Sequence, residues 1–312
     1  MQRSACRDQL ATKLPTEASL ASIVIVNWNG RQYLERCLAA LFASISDQTA
    51  VIMVDNGSTD DSRSWVATHF PQVQIIALPT NTGFAVANNL GMQATSAPYV
   101  VLLNNDTEVQ AGWLDALLTV AESDLTIGMC APRVLLADRD HSIDSAGIRI
   151  DLLGFAWQVG HNQPDGAAFQ TLRDVFGPSG AVALYRRAML DQIGLLDEDF
   201  ESYYEDVDLA WRAQQAGWRC RYVPQAKVLH VHSGTSRRQP EHKLYLTTRN
   251  RWWTLVKNYP LPRLWLMFPL IVLADGASLI RALLQYRSLT PLKARRDALV
   301  GLQGMWAKRR RY

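Results

Sequence analysis

The chain has 312 residues, 48% of them hydrophobic, which is enough to bury one large core or two modest ones. Its cysteines, Cys6, Cys37, Cys130 and Cys220, are scattered with no CxxC spacing, which excludes a disulfide framework or a cysteine metal site and predicts a reducing compartment. The net charge of +3 hides an asymmetry: residues 1–236 hold 16 Lys/Arg against 26 Asp/Glu, and residues 237–312 hold 16 against 3. An acidic body with a basic tail predicts two surfaces with different partners.

Residues 1–20 show no apolar stretch behind their charges, so no secretory signal is expected there, only a lead-in. Short β-rich runs then alternate with helical patterns, the signature of βαβ units. Strands are predicted over Ser22–Asn27, Ala50–Asp55, Val73–Leu78 and Tyr99–Leu103, with helices near Tyr33–Phe42, Ser62–Phe70 and Phe84–Ala94. The polar clusters Asn27-Trp28-Asn29-Gly30, Asp55 through Asp60, and Asn104-Asn105-Asp106 each follow a strand. In a parallel sheet such ends share one edge, where ligands bind.

Beyond residue 130 the pattern is less regular. A Gly-rich strand, Phe176–Tyr185, precedes a helix over Arg187–Ile193. The acidic stretch Leu196–Asp208 opens a helix running to Gln215, and a strand over Arg219–Val231 ends in His230-Val231-His232. From Leu264 an apolar run of 11 residues reaches Asp275, and Arg281 follows. A spanning helix needs about 20 apolar residues, so an interfacial segment on an anionic membrane is predicted instead. The competing reading packs this segment on the body or on a second copy of the chain.

Five ordered motifs resemble family 2 glycosyltransferases, particularly the bacterial rhamnosyltransferase-like branch. They are Val26-Asn-Trp-Asn-Gly30, Val54–Ser62, Asn81–Gly91, Leu103-Asn-Asn-Asp106 and Tyr204-Glu-Asp-Val-Asp-Leu-Ala-Trp-Arg212. The resemblance covers residues 21 to about 258. It implies a GT-A fold, an α/β architecture with a mixed, mostly parallel sheet flanked by helices. It also implies inverting transfer from a nucleotide-sugar to an acceptor hydroxyl; with the charge asymmetry, the expected division is a catalytic domain over 21–236 and a basic helical region over 237–312.

Each candidate residue has a chemical reason and a plainer alternative. Asp55 can accept the imide N–H of uracil or thymine, a role that the resemblance implies, or it can cap the Gly57-Ser58 turn. Asn27, Asn29, Asn81, Gly83, Asn104 and Asn105 are the expected neighbours of a dTDP- or UDP-sugar donor. Asp106 is an oxygen ligand suited to Mg²⁺ or Mn²⁺, with Asn104 standing where many such enzymes carry a second carboxylate. His230 is the histidine that the resemblance brings to the metal, and His232, two residues on, faces the same side of a strand.

Asp206 is the general base that the resemblance implies, at a helix N-terminus that favours its ionised form. Asp208 competes, although its spacing to Arg212 predicts an intrahelical ion pair. Glu205 is either an acceptor ligand or a capping charge. Ser179 and Gly180 leave room for sugars to approach the backbone, or form a bulge. Asp197 and Glu198 are expected at acceptor hydroxyls, and Tyr203, Tyr204 and Trp211 form either a sugar platform or core.

No Gly-rich phosphate loop follows the first strand, which argues against a nucleotidyltransferase or dinucleotide oxidoreductase. The basic tail has no nucleic-acid module with it, so no nucleic acid is expected; a polyprenyl-linked glycan acceptor accounts for its basic and apolar character together. A non-catalytic nucleotide-sugar-binding protein is the alternative reading.

Overall fold

The structure is a computed structural model that describes residues 19–137, 142–231 and 240–309. Residues 1–18, most of the expected lead-in, and His232 lie outside the described residues. The first half follows the predicted βαβ order. β1 (Ala21–Asn27), α1 (Arg31–Phe42), β2 (Thr49–Asp55), α2 (Ser62–His69), β3 (Gln74–Ala77), α3 (Phe84–Gln93) and β4 (Tyr99–Asn104) each fall within two residues of expectation. These strands are parallel, in the order β3-β2-β1-β4.

Both faces of this half-sheet are covered, which is why its strands read as continuous apolar runs. Ile23, Ile25 and Met53 pack toward Leu34 and Leu38 of α1 and Trp113 of α4 (Trp113–Glu122). Val24, Val54 and Val100 pack toward Met92 of α3. The register pairs Asn27 with Asp55 and Val26 with Asn104, so the three polar strand ends do meet on one edge.

β5 (Thr107–Val109) leads to α4 and then to β6 (Ile127–Leu136), a strand buried at all ten positions that the sequence reading did not identify. An antiparallel excursion follows: β7 (Ile143–Ser145), β8 (Ile148–Ile150), β9 (Ala156–Gln158) and β10 (Arg173–Val175). The expected strand over Phe176–Tyr185 is shorter, β11 (Val182–Arg186), because residues 176–181 form a loop. β11 runs antiparallel to β4 and β6, which makes the sheet mixed. After α5 (Arg187–Ile193) and α6 (Glu205–Gln215), β12 (Arg219–His230) pairs parallel with β6 and antiparallel with β5.

Three helices complete the chain: α7 (Pro240–Asn258), α8 (Leu261–Tyr286) and α9 (Thr290–Ala307). The expected 11-residue apolar segment is instead part of one 26-residue helix, long and apolar enough by length and composition to cross a membrane. The sequence count stopped at Asp275, which is buried and neutralised by Arg251 at 3.2 Å and Arg295 at 2.6 Å. A carboxylate paired in this way does not interrupt a helix.

Candidate active site

A cavity of about 830 Å³ opens at the strand-end edge. Its walls bring together Asn81, Gly83, Asn104, Asn105, Asp106, Ser179, Gly180, Glu205, Asp206 and His230, ten of the predicted residues. They come from five stretches of chain.

One wall is a lattice of amides. Asn56 accepts from the Thr82 N–H at 2.8 Å and donates to Asn81 Oδ1 and the Gly83 carbonyl, both at 3.1 Å. Asn105 donates to Asn27 Oδ1 at 2.7 Å. A Cβ on Gly30 would lie 2.1 Å from the Asn105 amide nitrogen, so only glycine admits this contact. Behind this wall, Asn29 Oδ1 accepts from the Thr59 N–H at 2.7 Å, and Asp55 accepts from Asn27 at 3.3 Å and weakly from the Ser58 N–H at 3.4 Å. Asn27, Asn29 and Asp55 do not themselves line the cavity; they brace its edge, with Asp55 in the turn-capping arrangement.

The second feature is built around His230. Its place on β12, opposite Thr107 of β5, brings Nε2 to 3.2 Å from Asp106 Oδ1. Nδ1 lies 2.7 Å from Asp144 Oδ2, on β7. Burial works against a charged imidazole, but the hydrogen bonds to Asp106 and Asp144 prevail and raise its pKa to about 9. Asp144 fixes the ring so that Nε2 faces Asp106, the carboxylate–histidine pairing that orients metal ligands. The sequence reading missed Asp144 because its strand is three residues long and carries no periodic signal. Among the described residues no third His, Cys, Asp or Glu joins them in a metal-sized cluster. Asp106 offers a carboxylate oxygen suited to a hard divalent cation, and His230 would join it as a ligand only on giving up the Nε2 proton that now faces Asp106.

The third feature is the N-terminus of α6. Asp206 Oδ2 accepts from the Gly180 N–H at 2.9 Å and Oδ1 from the Val207 N–H at 2.8 Å. A Cβ on Gly180 would stand 3.4 Å from Asp206 Oδ2, so the small residue lets the loop close on the carboxylate. Burial raises the Asp206 pKa against these two amides, and burial beside Asp206 pushes Glu205 much higher still. Of the pair, Glu205 is pushed the more strongly toward its neutral form, and Asp206 beside it is a carboxylate of enhanced basicity.

Asp208 is settled as a structural residue. It bonds Arg212 at 2.9 Å, Lys257 at 2.9 Å and Asn258 at 2.7 Å, with no accessible surface.

Three of the expected acceptor ligands lie outside the cavity. Asp197 is held by Lys257 at 2.7 Å and by Lys308, and Glu198 lies 3.3 Å from Asn89. Trp211 packs edge-on against Phe176 and beside Tyr259. None of the three lines the cavity. Their segments are drawn into contacts with α3, the terminal helices and the 176–181 loop, which motif spacing cannot show. Tyr203 and Tyr204 do line the cavity, but the Tyr204 hydroxyl is spent on the Gly154 carbonyl and Ala156 N–H of the β8–β9 hairpin. That hairpin contributes Trp157, an exposed cavity aromatic that the sequence reading overlooked.

A parallel half-sheet whose strand ends meet an acidic helix N-terminus and a carboxylate–histidine pair across one cavity is the arrangement of a GT-A fold. The family model for glycosyl transferase family 2 matches residues 22–194, more than half of the chain, and the protein belongs to that family. It is a glycosyltransferase of the rhamnosyltransferase-like group. An N-acetylglucosaminyl-diphospho-decaprenol L-rhamnosyltransferase of Mycobacterium tuberculosis is 30% identical over 267 residues, covering 74% of this chain and 85% of that protein. A pre-mycofactocin glycosyltransferase of the same organism is 33% identical over 58% of this chain and 37% of its own. Among solved structures, a mannosyltransferase of Pyrobaculum calidifontis in complex with GDP-Man and Mn²⁺ superposes with a TM-score of 0.56 at 15% identity, covering 99% of this chain and 90% of that one. GalNAc-T7 with UDP, GalNAc and Mn²⁺ gives 0.60 at 16% identity, over 77% of this chain and 48% of that one.

Proposed function

We propose that the protein transfers a sugar, with inversion, from a nucleoside-diphosphate donor to a hydroxyl of a lipid-linked glycan. L-Rhamnose from dTDP-L-rhamnose is the donor of first choice, and an N-acetylglucosaminyl-diphospho-polyprenol the acceptor. The mycobacterial relative's name supports both the sugar and the acceptor class. The observation that carries the reaction type is the Asp206 carboxylate, aimed by the Gly180 N–H into the cavity that also holds Asp106 and His230.

In this reading Asp206 takes the proton of the attacking hydroxyl. Asp55, at the end of β2, recognises the pyrimidine, and the Asn56–Asn81–Gly83 lattice shapes the wall against which the donor lies. Asp106, joined by His230 once its Nε2 is deprotonated, would hold Mg²⁺ or Mn²⁺, and the ion would offset the diphosphate charge. Ser179 and Gly180 leave backbone room for the two sugars.

A transfer assay over dTDP-, UDP- and GDP-sugars, with and without Mn²⁺ and with a short-chain N-acetylglucosaminyl-diphospho-polyprenol, tests this. Transfer from dTDP-L-rhamnose alone, dependent on metal, is expected. Nucleotide-sugar binding without transfer or hydrolysis under every condition would favour the non-catalytic reading.

The terminal helices support a location on the inner face of the plasma membrane. Trp265, Leu266, Leu273 and Leu284 of α8 and Leu299, Val300 and Trp306 of α9 are exposed. Exposed Arg263, Arg281, Arg287, Lys293 and Arg296 accompany them, as expected for an anionic bilayer. The Arg251–Asp275–Arg295 pairing ties α8 to its neighbours, so pulling it across a bilayer would strand buried charges. An in-plane position keeps those pairs intact. Sedimentation with phosphatidylglycerol vesicles is expected for the full chain and lost in the double variant Leu266→Glu/Leu273→Glu. Unaltered sedimentation of that variant would remove the apolar contribution, and concentration-dependent dimers without vesicle binding would assign the face to a second copy.

A further inference from the structure

The turn that delivers Asp206 is conformationally unusual. Glu201, Tyr203 and Tyr204 have φ of 62°, 65° and 71°, three left-handed non-glycine residues within four positions. Such backbone persists only where its surroundings over-determine it. Glu201, Ser202, Tyr203 and Tyr204 all line the cavity, and Glu205 and Asp206 follow directly.

The constraint comes from α7, in the region that the sequence reading placed beyond the catalytic domain. Asn250 is completely buried, and its amide N–H groups donate to the carbonyls of Phe200 at 2.8 Å, Ser202 at 3.0 Å and Tyr203 at 2.7 Å. Arg249 Nε donates to Asn250 Oδ1 at 2.9 Å, which fixes the amide with its N–H groups toward the turn. The same guanidinium bonds Glu201 Oε1 at 2.9 Å and the Asp199 and Phe200 carbonyls at 3.2 Å. On its other side the turn meets the donor wall, where the Glu201 carbonyl accepts from the Ala85 N–H of α3 at 2.9 Å. The turn is thus held between α7 and the helix that follows Gly83.

We propose that Arg249 and Asn250 are positioning residues for the transfer step, holding the strained 200–204 turn so that Asp206 meets the acceptor hydroxyl. The proposal rests on Asp206 as the base and extends that reading to a helix outside the family-model match. An amide supplying N–H groups to three carbonyls has no polar substitute of its size. Asn250→Asp keeps the shape but sets carboxylate oxygen against the carbonyls.

In Asn250→Asp, kcat for transfer is expected to fall about 10- to 100-fold, the scale of a misplacement near 1 Å, with donor KM unchanged. Amide hydrogen exchange should quicken across residues 200–206 while the β1–β4 strands stay protected. Arg249→Gln should show the same pattern more weakly, and it serves as the test if Asn250→Asp does not fold. Wild-type kcat with unaltered exchange in a folded variant would overturn the proposal. If Asp206→Asn proved active, the base assignment would fall, whereas the exchange result would still judge the clamp separately.

Discussion

Asp206→Asn is expected to lower kcat for transfer by about 100- to 10,000-fold, the range of general-base contributions, and to leave nucleotide affinity nearly intact. The amide retains the hydrogen bond from Gly180 but cannot accept a proton, so the loss would report proton transfer and not geometry. The pH profile adds a second check. Burial raises the Asp206 pKa, against the amides of Gly180 and Val207. Activity needs the carboxylate, so it should fall as pH drops through that raised value, with an acid limb above the ordinary aspartate range near 3.8. Initial rates across pH, read beside nucleotide titration calorimetry, measure both. Substantial transfer by Asp206→Asn would remove it as the base.

The largest stability effect should come from its neighbour two residues on. Asp208→Ala removes the carboxylate that Arg212, Lys257 and Asn258 share, leaving buried Arg212 with no carboxylate and buried Lys257 with Asp197 alone. Breaking a buried pair in this way costs about 3–5 kcal/mol, enough to unfold a marginal protein at physiological temperature. Burial would raise the Asp208 pKa, but Arg212 and Lys257 overcome it and hold the group down to about 2. For a depressed carboxylate the stabilisation is present above the unfolded pKa and lost as pH falls through the folded one. Wild-type stability should therefore decline between about pH 4 and pH 2 through this group, and Asp208→Ala should lack that component. Denaturant melts at pH 7 and at low pH test both statements. A variant as stable as wild type would mean that the network contributes nothing.

Together these variants separate two carboxylates on one helix turn. Asp206 faces the cavity, touched only by backbone N–H groups, and Asp208 faces inward onto α7. The spacing Asp-x-Asp places them on different sides of a helix, which the sequence does reveal. That Lys257 and Asn258, some 50 residues later, complete the inner site could not be read from spacing.

The same division runs through the molecule. The amino-acid sequence by itself determined the βαβ half: continuous apolar runs buried on both faces, each ended by a polar cluster, leave few arrangements other than parallel strands with a shared ligand edge. It also determined the acidic helix start that bears Asp206 and the carboxylate at Asp106. These signals are local, carried by residues a few positions apart. Tertiary structure alone decided the rest. Strand β6 runs through the sheet centre without alternation, so its period is silent. Asp144 reaches His230 across 86 residues, and Asp275 sits inside an apolar helix because Arg251 and Arg295 arrive from two others. The strained turn before Asp206 is held by Asn250, whose amide means nothing until folding sets three carbonyls around it. Buried polar groups must find partners wherever the chain supplies them, and which partners they find is fixed only when distant segments meet.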